Sequence, residues 1–345
     1  MKTLFGITTI LWIFSSCAST QLVTISVLKP APVTVPAYVK NVAVVNRSEP
    51  SKKIKIINVV NKALSMQGTD LDKAGAQATL TGLADELEKN TRFDNVTILN
   101  NTNLTTDVPG DFPVPLAWDD VEKYCRDNNA DVLFSLEIFD TKSDIDYTTN
   151  KTVVKTPLGN APVIEQQANM RTLVKTGWRI YDLRSKNIID EIEFSRTLTY
   201  HGKGINPLMA ANALINRNEA VKEVGNIAGH DYALSLIPAW KRVSRDYYVR
   251  GNNNFTMAMR KARTGNWTGA AGLWEKETNN SNGKIAGRAC YNMAIISEIN
   301  GDLDGAIKWA QKSYENYNNH LALQYVTILN NRKLDTEILK DQQVD

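Results

Sequence analysis

A chain of 345 residues with 43% hydrophobic and 22% charged residues has the composition of an ordinary globular protein of about two domains. Its 40 basic residues nearly balance its 37 acidic ones, and the densest basic stretches, Lys52-Lys53-Ile54-Lys55 and Arg260-Lys261-Ala262-Arg263, are short. This excludes the electrostatic footprint of a nucleic-acid binder, and no stretch approaches the roughly twenty apolar residues of a membrane-spanning helix.

The chain opens with Lys2, an apolar run from Leu4 to Phe14, and Ser15-Ser16-Cys17. A positive start, a short apolar stretch and small residues spell a secretory signal, removed on export. Its end resembles the bacterial lipobox, in which the cysteine becomes a diacylglyceryl-modified first residue. That resemblance implies a signal peptide over residues 1–16, lipidation at Cys17 and attachment to the membrane through the lipid. Ala18-Ser19-Thr20-Gln21 carries no acidic group of the kind that serves as a retention or surface-export signal, so the expected place is the outer membrane, facing the periplasm. Residues 17–36 then read as lipidated cysteine and tether, with Pro30, Pro32 and Pro36 keeping the backbone extended.

Val39 to Val45, rich in β-branched residues and closed by a polar loop, predicts a buried strand. Leu71, Ala74, Ala78, Leu80, Leu83 and Leu87 recur at helical spacing after Thr69, Val96–Leu99 reads as a strand, Trp118–Asn128 as a helix and Ala130–Phe139 as a strand. Gln167–Leu183 and Asn187–Tyr200 alternate with period two, the pattern of a hairpin extending the same sheet. A long helix is expected from Met209 to Ser235, ended by Pro238, and Trp240–Val249 in extended form. The polar stretch from Gly251 to Asn254 marks a boundary between an α/β domain over 37–250 and a helical module over 251–333, followed by a tail over 334–345.

Gly265-Asn266-Trp267-Thr268-Gly269-Ala270 superposes on Gly301-Asp302-Leu303-Asp304-Gly305-Ala306, each a turn between two helices. This repeat resembles the tetratricopeptide family, with Tyr291-Asn292-Met293-Ala294 at its packing signature. The expected fold is therefore α+β, a mixed α/β sandwich domain followed by an all-α tetratricopeptide-like helical repeat. The resemblance implies a concave groove that binds another envelope protein or peptide, lined by Phe255, Met259, Arg288, Tyr291 and Glu298.

Sites for chemistry are hard to find. His201, His230 and His320 lack any paired-ligand spacing, Tyr200-His201-Gly202-Lys203-Gly204 lacks the frame of a phosphate loop, and Asp140, Asp144 and Asp146 lack the closing Glu of a calcium loop. No Gly-x-Ser-x-Gly elbow occurs, and Cys125 and Cys290 read as two buried free thiols. The expectation is a protein without cofactor, metal or catalytic residues.

The tether Leu28-Lys29-Pro30-Ala31-Pro32, Val42-Ala43-Val44-Val45-Asn46-Arg47, Ala130-Asp131-Val132-Leu133 and Gly177-Trp178-Arg179-Ile180-Tyr181-Asp182 together resemble an uncharacterised family of lipoproteins from Bacteroidota. From Val39 to Phe139 the chain is also similar to the curli secretion component and the outer-membrane activators of peptidoglycan synthases. The first reading is a lipid-anchored, non-catalytic adaptor or scaffold acting through its helical repeat. Two others stay open: an assembly or secretion component that forms homo-oligomers through its α/β domain, and a ligand-binding or hydrolytic protein with a pocket between sheet and repeat, which a polar-lined cleft near His201 and Lys203 would support.

Overall fold

The computed structural model describes residues 19–48, 68–100, 104, 111–157 and 159–342, so the signal segment and Cys17 lie outside the described residues. In chain order the elements begin with β1 (Thr20–Lys29), β2 (Asn41–Asn46), α1 (Gly68–Glu88), β3 (Asn95–Leu99), α2 (Trp118–Asp127), β4 (Val132–Thr156), β5 (Gly159–Asp182) and β6 (Asn187–Gly204). They continue with α3 (Pro207–Asn212), α4 (Arg217–Leu234), β7 (Ala239–Tyr248), α5 (Asn253–Arg263), α6 (Trp267–Glu275), α7 (Gly283–Ile299), α8 (Leu303–Glu315) and α9 (His320–Gln342). The fold is α+β and divides into two compact units, one of Pro30–Ala239 with Ile338–Asp345, the other of Met1–Lys29 with Trp240–Glu337.

In the first unit a five-stranded sheet has the order β3-β2-β4-β5-β6. β2 pairs in parallel with both β3 and β4, whereas β5 runs antiparallel to β4 and to β6. The pleat sends alternate residues to opposite faces. Val42, Val44, Phe134, Leu136, Trp178 and Ile180 meet α1 and α4 on one face; Ala43, Val45, Leu133 and Tyr181 meet Val121 and Cys125 of α2 on the other. Both faces are covered, which is why β2 reads as a continuous apolar run. α1 and α4 lie close together because their facing positions are glycine: a methyl group on Gly229 would overlap the carbonyl of Thr79, and one on Gly82 that of Asn226.

In the second unit β1 and β7 pair as a two-stranded sheet and α5 to α8 form helix pairs. The two predicted turns have the same chemistry. Gly265 and Gly301 take φ of 78° and 82°, a region open to glycine at little cost. The next residues, Asn266 and Asp302, then cap α6 and α8 by accepting from the backbone N–H of Gly269 and Gly305, both at 2.8 Å. Ala270 and Ala306, equivalent in the repeat, are fully buried.

Four expectations change. Thr20–Lys29 is a strand, not part of a tether, and its apolar-polar alternation is what a half-buried strand requires. Trp240–Tyr248, expected to close the α/β domain, belongs to the helical unit, because Tyr247, Tyr248 and Val249 join that unit's core. The long helix splits into α3 and α4, since Asn216 caps a new start by accepting from the N–H of Asn218. The segment from 334, expected as a tail, stays helical to Gln342, whose buried amide donates to the carbonyl of Ala31 at 2.9 Å and accepts from its N–H at 2.8 Å.

Candidate functional site

Two of the motifs that carried the family resemblance, Val42–Arg47 and Gly177–Asp182, converge with Glu137 on one buried cluster just past the carboxyl end of β2 and near the amino end of β4. A bulge between Leu136 and Ile138 inserts Glu137 as the extra residue of β4, the usual device for re-aiming one side chain. Arg47, just past β2, donates from Nη1 to Glu137 Oε2 at 3.0 Å, and the Tyr181 hydroxyl donates to Oε1 at 3.0 Å. Arg179 binds Glu191 through Nε at 2.6 Å and lies 3.9 Å from Glu137. Burial pushes the Glu137 carboxyl above its ordinary range despite Arg47, and burial with the neighbouring Glu137 pushes the Tyr181 hydroxyl up to about 12. The cluster is already occupied by the chain itself. Arg179 Nη1 donates to the carbonyl of Pro113 at 2.6 Å, Arg47 Nη1 to that of Val114 at 2.9 Å, and Leu116 N–H donates to the Tyr181 oxygen at 3.1 Å. These groups latch residues 113–116 over the sheet.

A second buried carboxylate anchors the helical unit and includes two of the expected groove residues. Glu298 on α7 accepts two bonds from Arg245 of β7, both at 2.9 Å, one from Arg332 of α9 at 2.7 Å, and one from the Tyr325 hydroxyl. Burial alone would raise the Glu298 carboxyl; the bonds from Arg245, Tyr325 and Arg332 outweigh it and hold the group below the usual range. Tyr291 is buried between Tyr248 and Tyr325, with ring centroids 5.4 Å from each. Phe255 is also fully buried, while Met259 is half-buried against the same core. Arg288 stacks over Tyr248 at 5.0 Å and donates to the carbonyl of Arg250 at 2.7 Å. The expected groove residues thus meet one another and β7 inside the unit. Asn292, which the sequence places in the packing signature, also seats β7: its buried amide accepts from Tyr248 N–H and donates to Tyr248 carbonyl, both at 2.7 Å.

The groups that chemistry would need are spoken for. Cys125 and Cys290 are free and buried, and burial pushes their thiols up to about 12 and about 11, far from the thiolate form. His201 is exposed on β6, its Nδ1 2.7 Å from Asn169 Oδ1, and Lys203 pairs with Glu165 at 3.0 Å. A cleft of about 170 Å³, open solvent included, lies elsewhere, lined by Asn46, Ser48, Asp72, Lys73, Ala76 and Phe139. Among the described residues no three His, Cys, Asp or Glu side chains gather as metal ligands would, and no helix is long and apolar enough to cross a membrane.

One exposed face among the described residues is rich in apolar side chains. β2 pairs with β4 only as far as Leu136 and β6 ends opposite Gln166, so among the described residues β4 and β5 continue as a two-stranded arm from Asn150↔Glu165 to Thr156↔Gly159. α3 sits on one face at the root of this arm, over Gly202 and Gly204, where any Cβ would strike the backbone of Ala210. The register puts Gly202 and Gly204 on the same face as Ala168 and Gln166, then Ile164 opposite Lys151 and Pro162 opposite Val153. Along that face Ile205 is 78% exposed, Leu208 67%, Ile164 58% and Val153 60%, with Met209 half exposed. Residues 205–216 contain no charge at all. From Ala168 outward the charged side chains on this face are Lys151 and Lys155.

A family model described as "Domain of unknown function (DUF8603)" matches residues 39–248, which holds the whole five-stranded sheet, its helices and β7. The chain belongs to this DUF8603 family. A second model, "Domain of unknown function (DUF6340)", matches residues 256–331, the helices from α5 into α9. No curated protein matches the chain. Among solved structures, a PelC dodecamer from Paraburkholderia phytofirmans is 10% identical with a TM-score of 0.25, covering 63% of this chain and 99% of that one. A homolog of neuraminyllactose-binding hemagglutinin from Helicobacter pylori is 11% identical with a TM-score of 0.22, covering 58% and 87%. Likeness at that level carries no function to this DUF8603 member. Both matched families are described as being of unknown function, and neither family model is a lipoprotein, curli-secretion or tetratricopeptide model.

Proposed function

We propose that this DUF8603 chain is a non-catalytic protein-binding scaffold of the bacterial envelope, lipid-anchored at Cys17 and facing the periplasm at the outer membrane. The observation that carries the reading is the exposed apolar face formed by α3, whose stretch 205–216 carries no charge, and by one side of the β4–β5 arm, where Val153 and Ile164 stand beside Lys151 and Lys155. Surfaces of that kind, rimmed by polar residues, mark sites of macromolecular contact. The helical repeat is the expected binding module, but Phe255, Tyr291 and Glu298 are consumed by internal packing, so the binding role moves to the sheet-bearing unit. The burial of both thiols and the saturation of Glu137 and Glu298 by their own neighbours support a structural over a chemical role.

The test is site-specific photocrosslinking in growing cells, with a photoreactive amino acid in place of Leu208. The reading expects a covalent protein adduct, visible as a slower band. Adducts with lipid only, or none above those obtained from an exposed control position such as Glu219, would refute it.

A further inference from the structure

The α3 and arm face has a definite occupant in the chemistry of the chain itself. We infer that it is covered by a second copy of this chain, with the arm of each copy laid across α3 of the other. This rests on the reading of that face as a protein-docking surface.

Three observations lead there. Four large aliphatic residues, Ile205, Leu208, Ile164 and Val153, are more than half exposed, with Met209 and Pro162 beside them. Exposed aliphatic side chains gathered in this way, rimmed by polar residues, mark surfaces that another macromolecule covers. Next, charge is distributed so that a reciprocal contact sets no like charges against each other. Residues 205–216 are uncharged, and the cations of the face, Lys151 and Lys155, lie towards the arm's tip. In a reciprocal crossing the tip of one copy meets the neutral α3 of the other, so the four lysines stay apart and Val153 and Ile164 reach Leu208 and Met209. A two-fold contact of this sort is closed and self-limiting. Last, among the described residues no third strand pairs with the outer half of the arm. A two-stranded ribbon by itself is marginal in water, and packing against a further element stabilises it.

An acidic protein or an anionic bilayer would also accept Lys151 and Lys155. Neither accounts for a neutral α3 whose apolar residues match those of the arm in kind and extent, which a second copy does.

The experiment is sedimentation velocity of the full-length chain in mild detergent across the micromolar range, with a doubly substituted chain, Ile164→Asp with Leu208→Asp, beside it. Both positions are mostly exposed, so the fold should hold, as circular dichroism would verify. The expected result is a wild-type dimer or larger closed assembly and a variant that is monomeric, its dissociation constant raised at least 100-fold. Leu334→Asp, an equally exposed substitution in the helical unit, should leave association unchanged. Ile205→Asp alone serves if the double variant is disturbed.

A wild-type chain that stays monomeric while the photoreactive group at 208 captures a different protein overturns self-association and leaves the docking reading standing. A monomer that binds phosphatidylglycerol vesicles, and loses them on Ile164→Asp with Leu208→Asp, overturns both. An assembly that survives these substitutions overturns the assignment of this face.

Discussion

Replacing Glu298 by Gln should destabilise the helical unit by about 3–5 kcal/mol at neutral pH, the usual cost of removing one partner from a buried ion pair. The structure sets the size of the effect. The carboxylate is the counter-charge for two guanidiniums, Arg245 and Arg332, whose side chains are only 10% and 19% exposed, and it also accepts from the Tyr325 hydroxyl. Gln keeps the shape and one acceptor but strands both cations and presents an amide N–H₂ toward one of them. In urea, with slopes of roughly 1–3 kcal/mol per molar, the midpoint of the helical unit should fall by about 1–5 M. Trp267, Trp274 and Trp309 lie in that unit and provide the fluorescence readout. The pH dependence gives an independent check. Because the Glu298 pKa is depressed in the folded state, its stabilisation is fully present above the unfolded value of about 4.3 and is lost as pH falls through the lower folded value. The gap between wild type and Glu298→Gln should therefore be largest at pH 7 and shrink below about pH 4.3. A neutral-pH penalty under about 1 kcal/mol, the range of an exposed ion pair, would refute the idea that Glu298 is the charge centre of the unit.

Two further outcomes follow from other parts of the molecule. Gly229→Ala should cost about 3 kcal/mol or more in the sheet-bearing unit, because the new methyl group has only the Thr79 backbone to displace; a loss under about 1 kcal/mol would show that α1 and α4 can slide apart freely. Cys17→Ser should move the protein from the membrane to the soluble fraction after cell breakage, and unchanged attachment would refute lipid anchoring at that residue.

The parts of the fold legible in sequence are those where burial imposes a pattern. β2, covered on both faces, shows as an unbroken apolar run, and the turns at Gly265 and Gly301 repeat because glycine and a capping side chain are needed at both. The arm escaped notice for the converse reason. From Thr148 to Thr156 the strand touches one neighbour and mostly faces water, so no alternation of apolar and polar residues is enforced. The strand β1 was hidden by the prolines that follow it. Of the candidate groove, residue types and helical placement were legible, but burial was not: a Tyr and a Glu on α7 look the same in sequence whether they face a groove or a core. The Glu137 cluster was silent because Arg47, Glu137 and Arg179 lie far apart in the chain and meet through the register of β2, β4 and β5.

If Cys17 carries a lipid, as proposed, the start of β1 at Thr20 limits how far the β1–β7 pair can stand from the membrane. Between Cys17 and the first residue of β1 at Thr20 there are two residues, and a fully extended chain rises at most ~3.6 Å per residue. A lipid on Cys17 would thus hold the β1–β7 pair on a leash of about 10 Å, far shorter than a twenty-residue tether would give. In mechanical terms the anchor is a pivot and not a rope: the strand pair and the helices that share its core would ride on the headgroups, and their orientation to the bilayer would be set by the first turn of chain after the cysteine.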